Sequence, residues 1–155
     1  MTVVGLISDT HGLLREEVLL ALHGSDLVIH AGDVGKPEII ESLKAVAPVV
    51  AVRGNIDKGP WALTLPTAAI AEVGSAIIYV FHSLGELDLD PAAAGFQVVV
   101  SGHSHRPSRK ERGGVLYVNP GSAGPRRFRL PVTMARLHLG EIPWKVEFVE
   151  LANVE

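Results

Sequence analysis

With 155 residues, the chain is long enough to bury roughly 70% of its unfolded surface, so a single domain over residues 1–155 is expected. A hydrophobic fraction of 47%, 20% charged residues and a formal net charge of −3 exclude a disordered chain and give no overall basic field toward nucleic acid or a membrane surface. The absence of cysteine excludes disulfides and thiolate ligands, so any metal must be held by histidine, carboxylate and amide groups.

In chain order, Val3–Ile7 is a short continuous apolar run, as expected of a strand covered on both faces. It is too short for a signal peptide, and Glu72, Gly74 and Ser75 interrupt the longest candidate for a membrane span. A cytoplasmic protein is the expectation. The first strand runs into Ser8-Asp9-Thr10-His11-Gly12. Residues 13–23 then read as a helix, with Leu14, Val18, Ala21 and Leu22 on one stripe, His23 in the last turn and Gly24 as the stop. Asp26–His30 is a second strand, leading to Ala31-Gly32-Asp33. Pro37 opens a second helix with Ile39, Leu43 and Val46 on its buried face. Pro48–Val52 is a third strand, running into Arg53-Gly54-Asn55-Ile56-Asp57. This alternation argues for a parallel sheet with right-handed crossovers.

Beyond Trp61 the pattern changes. Ala68–Val73 and Ala76–Phe81 are split by Gly74-Ser75, a two-residue hairpin signal, and the second ends at His82. Residues 83–95 form an acidic connection with a short helix expected after Pro91. A strand over Phe96–Val100 precedes Gly102-His103-Ser104-His105. Gly113-Gly114 joins two further short strands, the second ending at Asn119-Pro120-Gly121-Ser122, and strands over 132–139 and 144–151 complete the chain. The fold class is α/β, with two packed sheets and helices outside.

Ligand-type residues recur at strand ends: Asp9 and His11, Asp33, Asn55, His82, then His103 and His105. In open α/β sheets, sites form beyond the carboxyl ends of the strands. His103 and His105, two apart, would point the same way in an extended segment and could serve one ion. Two aspartates, an asparagine and four histidines form a mixed N/O set that suits Mn²⁺, Fe, Zn²⁺ or Ni²⁺ better than Ca²⁺ or Mg²⁺. Seven donors exceed one tetrahedral zinc and match two metals sharing a carboxylate, with Asp33 after Gly32 as the natural bridge. Paired metals are the arrangement that hydrolyses phosphate esters.

Asp9-x-His11, Gly32-Asp33, Gly54-Asn55-x-Asp57, His82 and Gly102-His103-x-His105 together resemble the calcineurin-like metallophosphoesterase superfamily. The match is closest to its small single-domain prokaryotic phosphodiesterase branch, whose Asn-Pro-Gly-Ser turn appears at Asn119–Ser122. The resemblance spans residues 3 to about 130. It implies a four-layer sandwich of two mixed β-sheets flanked by helices, and two divalent metal ions, with Mn²⁺ first among the candidates. One ion would be held by Asp9, His11, Asp33 and His105, the other by Asp33, Asn55, His82 and His103. The implied activity is phosphodiester hydrolysis by in-line attack of a metal-bridging hydroxide, Asp33 being the bridging carboxylate. Two departures stand out. Ile56 occupies the position where larger members carry a histidine expected to protonate the leaving group, so no protein general acid is identified. Ser83-Leu84 follow His82 where glycine and a polar residue are expected, which alters the adjoining substrate wall.

Other residues carry alternative readings. Asp57 orients a histidine or the Asn55 loop, or is a plain turn aspartate. Arg53 reaches phosphate or is solvated. Asn119 supports the Gly-His-Ser-His loop. Arg126, with Arg127 and Arg129, clamps a substrate phosphate or forms a solvated face. His30 reads as a satisfied core histidine, and His138 is given no role. The expected partner is a small-molecule phosphoester, with no membrane and no basic or aromatic run forming a nucleic-acid track; a homo-oligomer is compatible with the sequence. The rival readings are a non-catalytic scaffold for protein–protein interaction, as in the retromer coat subunit with its degraded ligand set, and a metal-dependent nuclease.

Overall fold

A computed structural model describes residues 2–151. The elements are β1 (Thr2–Ile7), α1 (Glu16–Leu22), β2 (Leu27–His30), α2 (Pro37–Lys44), β3 (Val49–Ala51), β4 (Ala68–Val73), β5 (Ala76–Phe81), β6 (Val98–Val100), β7 (Ser108–Arg112), β8 (Val115–Asn119), β9 (Thr133–Leu139) and β10 (Lys145–Glu150). They form two five-stranded sheets, ordered β10-β9-β1-β2-β3 and β4-β5-β6-β8-β7. Each is mixed: in the first, parallel β1-β2-β3 run to one edge with antiparallel β9 and β10 on the other side, and in the second, parallel β5-β6-β8 lie between antiparallel β4 and β7.

The sheets face each other across an apolar layer in which Val4, Leu6, Ile29 and Val52 meet Ile78, Val80, Val98, Val100, Leu116 and Val118. The other face of the first sheet (Ile7, Val28, Met134) packs against Val18 and Leu22 of α1 and Ile39 and Leu43 of α2. Central strands buried on both faces explain why these runs are continuously apolar rather than alternating. The outer face of the second sheet is covered more thinly. Phe81, Val99 and Val115 pack there with Tyr79, Tyr117 and Leu87, and Tyr79 stacks on Phe96 with ring centroids 4.8 Å apart.

The helix expected after Pro91 is absent. Asp90 Oδ1 accepts from the Ala92 and Ala93 amides, as a capping residue would, but Gly95 in a left-handed conformation closes the segment after one turn. Between β5 and β6 the chain makes only a 3₁₀ turn at Leu84–Glu86 and this single turn, so the second sheet lacks a helix like those on the first. α1 also begins at Glu16 rather than residue 13, because Gly12 (φ +83°) and a Leu13 N–H bond to the Thr10 carbonyl prolong the preceding loop. His23 follows α1 as its C-cap, and α2 ends at Lys44, before Val46. Both hairpins fall where the glycines predict them, with Val73 paired to Ala76 and Arg112 to Val115.

His30 is fully buried and satisfied. Its Nδ1 accepts from the Gly32 amide at 3.1 Å, and its Nε2 lies 3.0 Å from Thr10 Oγ1. Because Thr10 gives its hydroxyl hydrogen to the Val34 carbonyl, Nε2 is the donor and the ring is neutral. Burial pushes its pKa down to about 4. His138 pairs across strands with Glu147 at 3.1 Å, far along the sheet from the loops described next.

Candidate metal centre

The parallel strands bring the loops after β1, β2, β5 and β6 to one edge of the sandwich. Backbone hydrogen bonds lock these loops together: Asp9 N–H to the Gly32 carbonyl (3.0 Å), His11 N–H to the Asp33 carbonyl (2.9 Å) and Gly102 N–H to the His82 carbonyl (2.8 Å). Among the described residues, six non-glycine residues have positive φ, and five of them are Asp9, His11, Asp33, His103 and His105. A left-handed backbone costs an L-residue roughly 1–2 kcal/mol, so its concentration here marks a site held against local preference. It also overturns the expectation that His103 and His105 share one ion. At φ of 71° and 64° they are not extended, and their side chains do not follow the strand rule.

The two carboxylates are arranged alike. Asp9 Oδ2 accepts from Ser8 Oγ (2.7 Å) and the His103 amide (3.1 Å), leaving Oδ1 buried and without a hydrogen-bond partner. Asp33 Oδ1 accepts from the Ile56 amide (3.0 Å), leaving Oδ2 turned inward. Around these free oxygens stand imidazole Nε2 atoms. His11 is 3.6 Å and His105 3.4 Å from Asp9 Oδ1; His11 is 3.4 Å and His82 3.2 Å from Asp33 Oδ2. His82 Nδ1 donates to the Ala31 carbonyl at 2.8 Å, which fixes the ring and leaves Nε2 as a lone pair facing inward.

Two clusters result, Asp9/His11/His105 and Asp33/His82/His103, each with donor atoms within 4.8 Å of one another. Asp33 Oδ2 contacts a histidine of each. Asn55 is exposed and lines the adjoining cavity with His82 and Arg53.

The donor chemistry fits divalent metal ions. Two donors bound to one ion at roughly 2.1 Å are separated by roughly 3.0–3.4 Å, close to the spacings above. Asp9 Oδ1, His11 Nε2 and His82 Nε2 are buried without a hydrogen-bond partner, a state that is costly unless something fills it. Electrostatics agree. Burial works to raise the pKa of Asp9, but His105, His11 and Ser8 outweigh it and hold the carboxyl well below its usual range. Burial at Asp33 is likewise outweighed by His11, His82 and the Ile56 amide, leaving its pKa strongly lowered. The Asp33 and Asp9 carboxylates raise His11 to about 9. For His82, burial opposes the charge, and Asp33 and the Ala31 carbonyl overcome it to raise the pKa. Two ionised carboxylates thus create a local demand for positive charge.

Supporting residues are equally well defined. Asp57 is buried and accepts the amides of Val34 (3.1 Å), Gly35 (2.8 Å) and Gly54 (2.9 Å), tying the Asp33 loop to the Asn55 loop rather than orienting a histidine. Any side chain at Gly54 would collide with the Asp33 carboxylate. Asn119 donates to the Gly102 carbonyl (3.0 Å) and Ser104 Oγ (3.1 Å). Ser122, unremarkable in the sequence beyond its place in the Asn-Pro-Gly-Ser turn, donates to the Asp9 carbonyl at 3.0 Å. Arg53 and Arg126 make no side-chain hydrogen bond or ion pair among the described residues, whereas Arg127 lies 3.5 Å from His11 Nδ1.

A family model described as the calcineurin-like phosphoesterase superfamily domain matches residues 1–141. The chain belongs to that superfamily. A probable metallophosphoesterase of Methanocaldococcus jannaschii is 38% identical over 133 residues, covering 77% of this chain and 67% of the relative. Phosphodiesterase YfcE of Escherichia coli is 33% identical over 140 residues, covering 74% of this chain and 76% of the relative. The solved YfcE structure superposes with a TM-score of 0.69 at 25% identity, covering 89% of each chain. Vps29 of Chaetomium thermophilum shares the fold, with a TM-score of 0.83 at 17% identity over 100% of this chain and 91% of that one. Family and relatives alike point to a phosphoesterase, a hydrolase of phosphate esters. In this calcineurin-like phosphoesterase, a cavity of about 560 Å³ opens beside His82 and Asn55, bounded by Arg53, Lys58, Tyr79 and Phe81. A second, of about 340 Å³, is lined by Ser83, Leu84, His103 and Arg106.

Proposed function

We propose that the protein is a dinuclear-metal-dependent phosphodiesterase acting in the cytoplasm on a small-molecule phosphoester. The observation that carries this reading is Asp33 Oδ2, 3.4 Å from His11 Nε2 and 3.2 Å from His82 Nε2, a single carboxylate oxygen reaching both clusters. Asp9, His11, Asp33 and His105 would hold one divalent ion; Asp33, Asn55, His82 and His103 the other. Mn²⁺ is the first metal to test, ahead of Fe, Zn²⁺ and Ni²⁺. Such a pair would supply a water of lowered pKa and offset charge on the phosphoryl oxygens.

The chain's own residues do the rest. Asp57 and Asn119 hold the ligand loops at fixed separation, and Arg53 stands in the cavity wall within the region a diester arm would occupy. Ile56 is 43% exposed, gives its amide to Asp33 and has no side-chain proton to donate. No protein acid is identified for the leaving group, which favours aryl and other good leaving groups over alkyl ones. The two donor clusters with their unpartnered buried atoms, and the phosphodiesterase among the relatives, support an enzyme over a scaffold.

The test is hydrolysis of bis(p-nitrophenyl) phosphate after chelation and on re-adding Mn²⁺. Activity should vanish with chelator and return with the metal, and Asp33→Asn should lower it by about 100-fold or more. Undiminished turnover by metal-depleted protein, or by Asp33→Asn, would remove this reading.

A further inference from the structure

The loop between Gly124 and Val132 has a rigid base and a free tip. At the base, Ala123 N–H bonds to the Ser8 carbonyl at 3.0 Å, and the Arg15 guanidinium reaches the Gly124 carbonyl at 3.1 and 3.3 Å. A side chain at Gly124 would strike the Asp9 and Thr10 carbonyls, so the base sits tightly on the loop that carries Asp9 and His11. At the tip, Arg126, Arg127, Phe128 and Arg129 are all exposed. Arg127, 3.5 Å from His11 Nδ1, places this tip beside the Asp9/His11/His105 cluster.

Among the described residues Phe128 is the sixth non-glycine residue with positive φ, at 55°, and it is 93% exposed. The other five serve the metal centre. Here the strain displays an apolar ring to solvent beside an anion-processing site, with no burial to offset it. Guanidinium groups take phosphate bidentately, and exposed aromatic rings stack nucleobases. Three arginines interleaved with one phenylalanine supply both chemistries within four residues.

The cavity beside His82 mixes Arg53 and Lys58 with Asp57, Glu86 and Asp88, whereas the cavity against His103 carries Arg106 and Lys110 and no carboxylate. The basic and aromatic residues of the loop are contiguous in sequence, and folding brings them beside the metal centre through Arg127.

We propose that the Arg126–Arg129 loop is a second subsite of the same centre, holding the neighbouring phosphate and the base of a nucleotide-containing phosphodiester. The natural substrate then carries at least two phosphates and a planar base. This rests on the phosphodiesterase reading for its purpose, but its test does not require turnover.

The experiment is equilibrium binding of a fluorescent, 5′-phosphorylated tetrathymidylate in EDTA, followed by anisotropy, with thermal melting as a check on folding. Arg126→Ala/Arg129→Ala should weaken binding by about tenfold or more and flatten its salt dependence. Phe128→Ala should weaken it by about tenfold, and Phe128→Trp should preserve it. Unchanged binding in both alanine variants would overturn the proposal. So would equal competition by inorganic phosphate and by the tetranucleotide, which would reduce the loop to a plain anion site. If the loop variants behave as expected while no phosphodiester is hydrolysed, the subsite stands and the catalytic reading fails. If bis(p-nitrophenyl) phosphate is hydrolysed with Mn²⁺ while the loop variants bind tetrathymidylate unaltered, the catalytic reading stands and the subsite fails.

Discussion

Asp57 commits its whole carboxylate to three backbone amides, and the loops it joins carry Asp33 and Asn55. Asp57→Asn keeps the size but offers one acceptor oxygen in place of two, so Mn²⁺ affinity should fall by about 10–100-fold, as for other residues that orient ligands. Calorimetric titration measures this, and an unaltered affinity would make Asp57 a simple turn residue. His11 gives the pH dependence. Its pKa is raised from 6.5 to about 9, so its protonated form stabilises the metal-free fold fully below pH 6.5, and that contribution is lost as pH climbs through about 9. Asp9 and Asp33, with lowered pKa values, contribute above their usual 3.8 and lose that contribution only in stronger acid. The Tm in EDTA should therefore fall between pH 6.5 and 9, while the gain from added Mn²⁺ grows, because metal and proton compete for the same nitrogen. A Tm in EDTA that rises over that interval would contradict the assignment. At this scale the sequence was informative in the spacing of Asp and His after successive strands, because folding gathers Asp9, His11, Asp33, His82, His103 and His105 into two clusters. Arg127 and Ser122 were not legible as neighbours of His11 and Asp9, since their contacts span 116 and 113 residues.

Among the elements, α1 is the clearest test of packing. Leu22 is fully buried against the first sheet, and it presses on Gly5 so closely that no side chain fits there. Leu22→Ala should cost about 2–5 kcal/mol by urea unfolding, without moving the metal centre, which lies at the strand ends. A loss below half that range would mean that α1 repacks. Hairpins were readable to the residue because Gly74-Ser75 and Gly113-Gly114 fix both turn and register. Helix ends were not. Periodicity continues through Leu14, but Arg15 is drawn to the Gly124 carbonyl, 109 residues away, and the helix waits until Glu16. Pro91 carried a helix-start signal that Gly95 cut off after one turn.

At the scale of the molecule, each half of the chain supplies part of the centre. Asp9, His11, Asp33 and Asn55 follow strands of the first sheet; His82, His103 and His105 follow strands of the second. Each cluster draws on both sheets. An ion held there ties the two sheets together, so metal binding should stabilise the whole fold rather than one loop. At a free Mn²⁺ concentration 100 times its Kd, the expected gain is about 2.7 kcal/mol, read as a single shifted transition in calorimetry. A metal effect confined to a minor early transition would show that the sheets unfold independently. The alternation of strands and helices made the α/β class readable, but the placement of β9 beside β1 was not, because nothing local encodes a pairing between the two ends of the chain.

The left-handed backbone at Asp9, His11, Asp33, His103 and His105 narrows what selection can write there. Asp, Asn and His are the non-glycine residues best tolerated in that conformation, and they are also hard or borderline metal donors. The two alphabets coincide. A glutamate could reach an ion but sits less readily on such a backbone, and a β-branched residue satisfies neither demand. Exchanges within Asp, Asn and His therefore separate loss of metal from loss of fold, whereas alanine confounds the two. Inherited drift at these five positions should run along the same short list, changing which metal is held before it changes whether the chain folds.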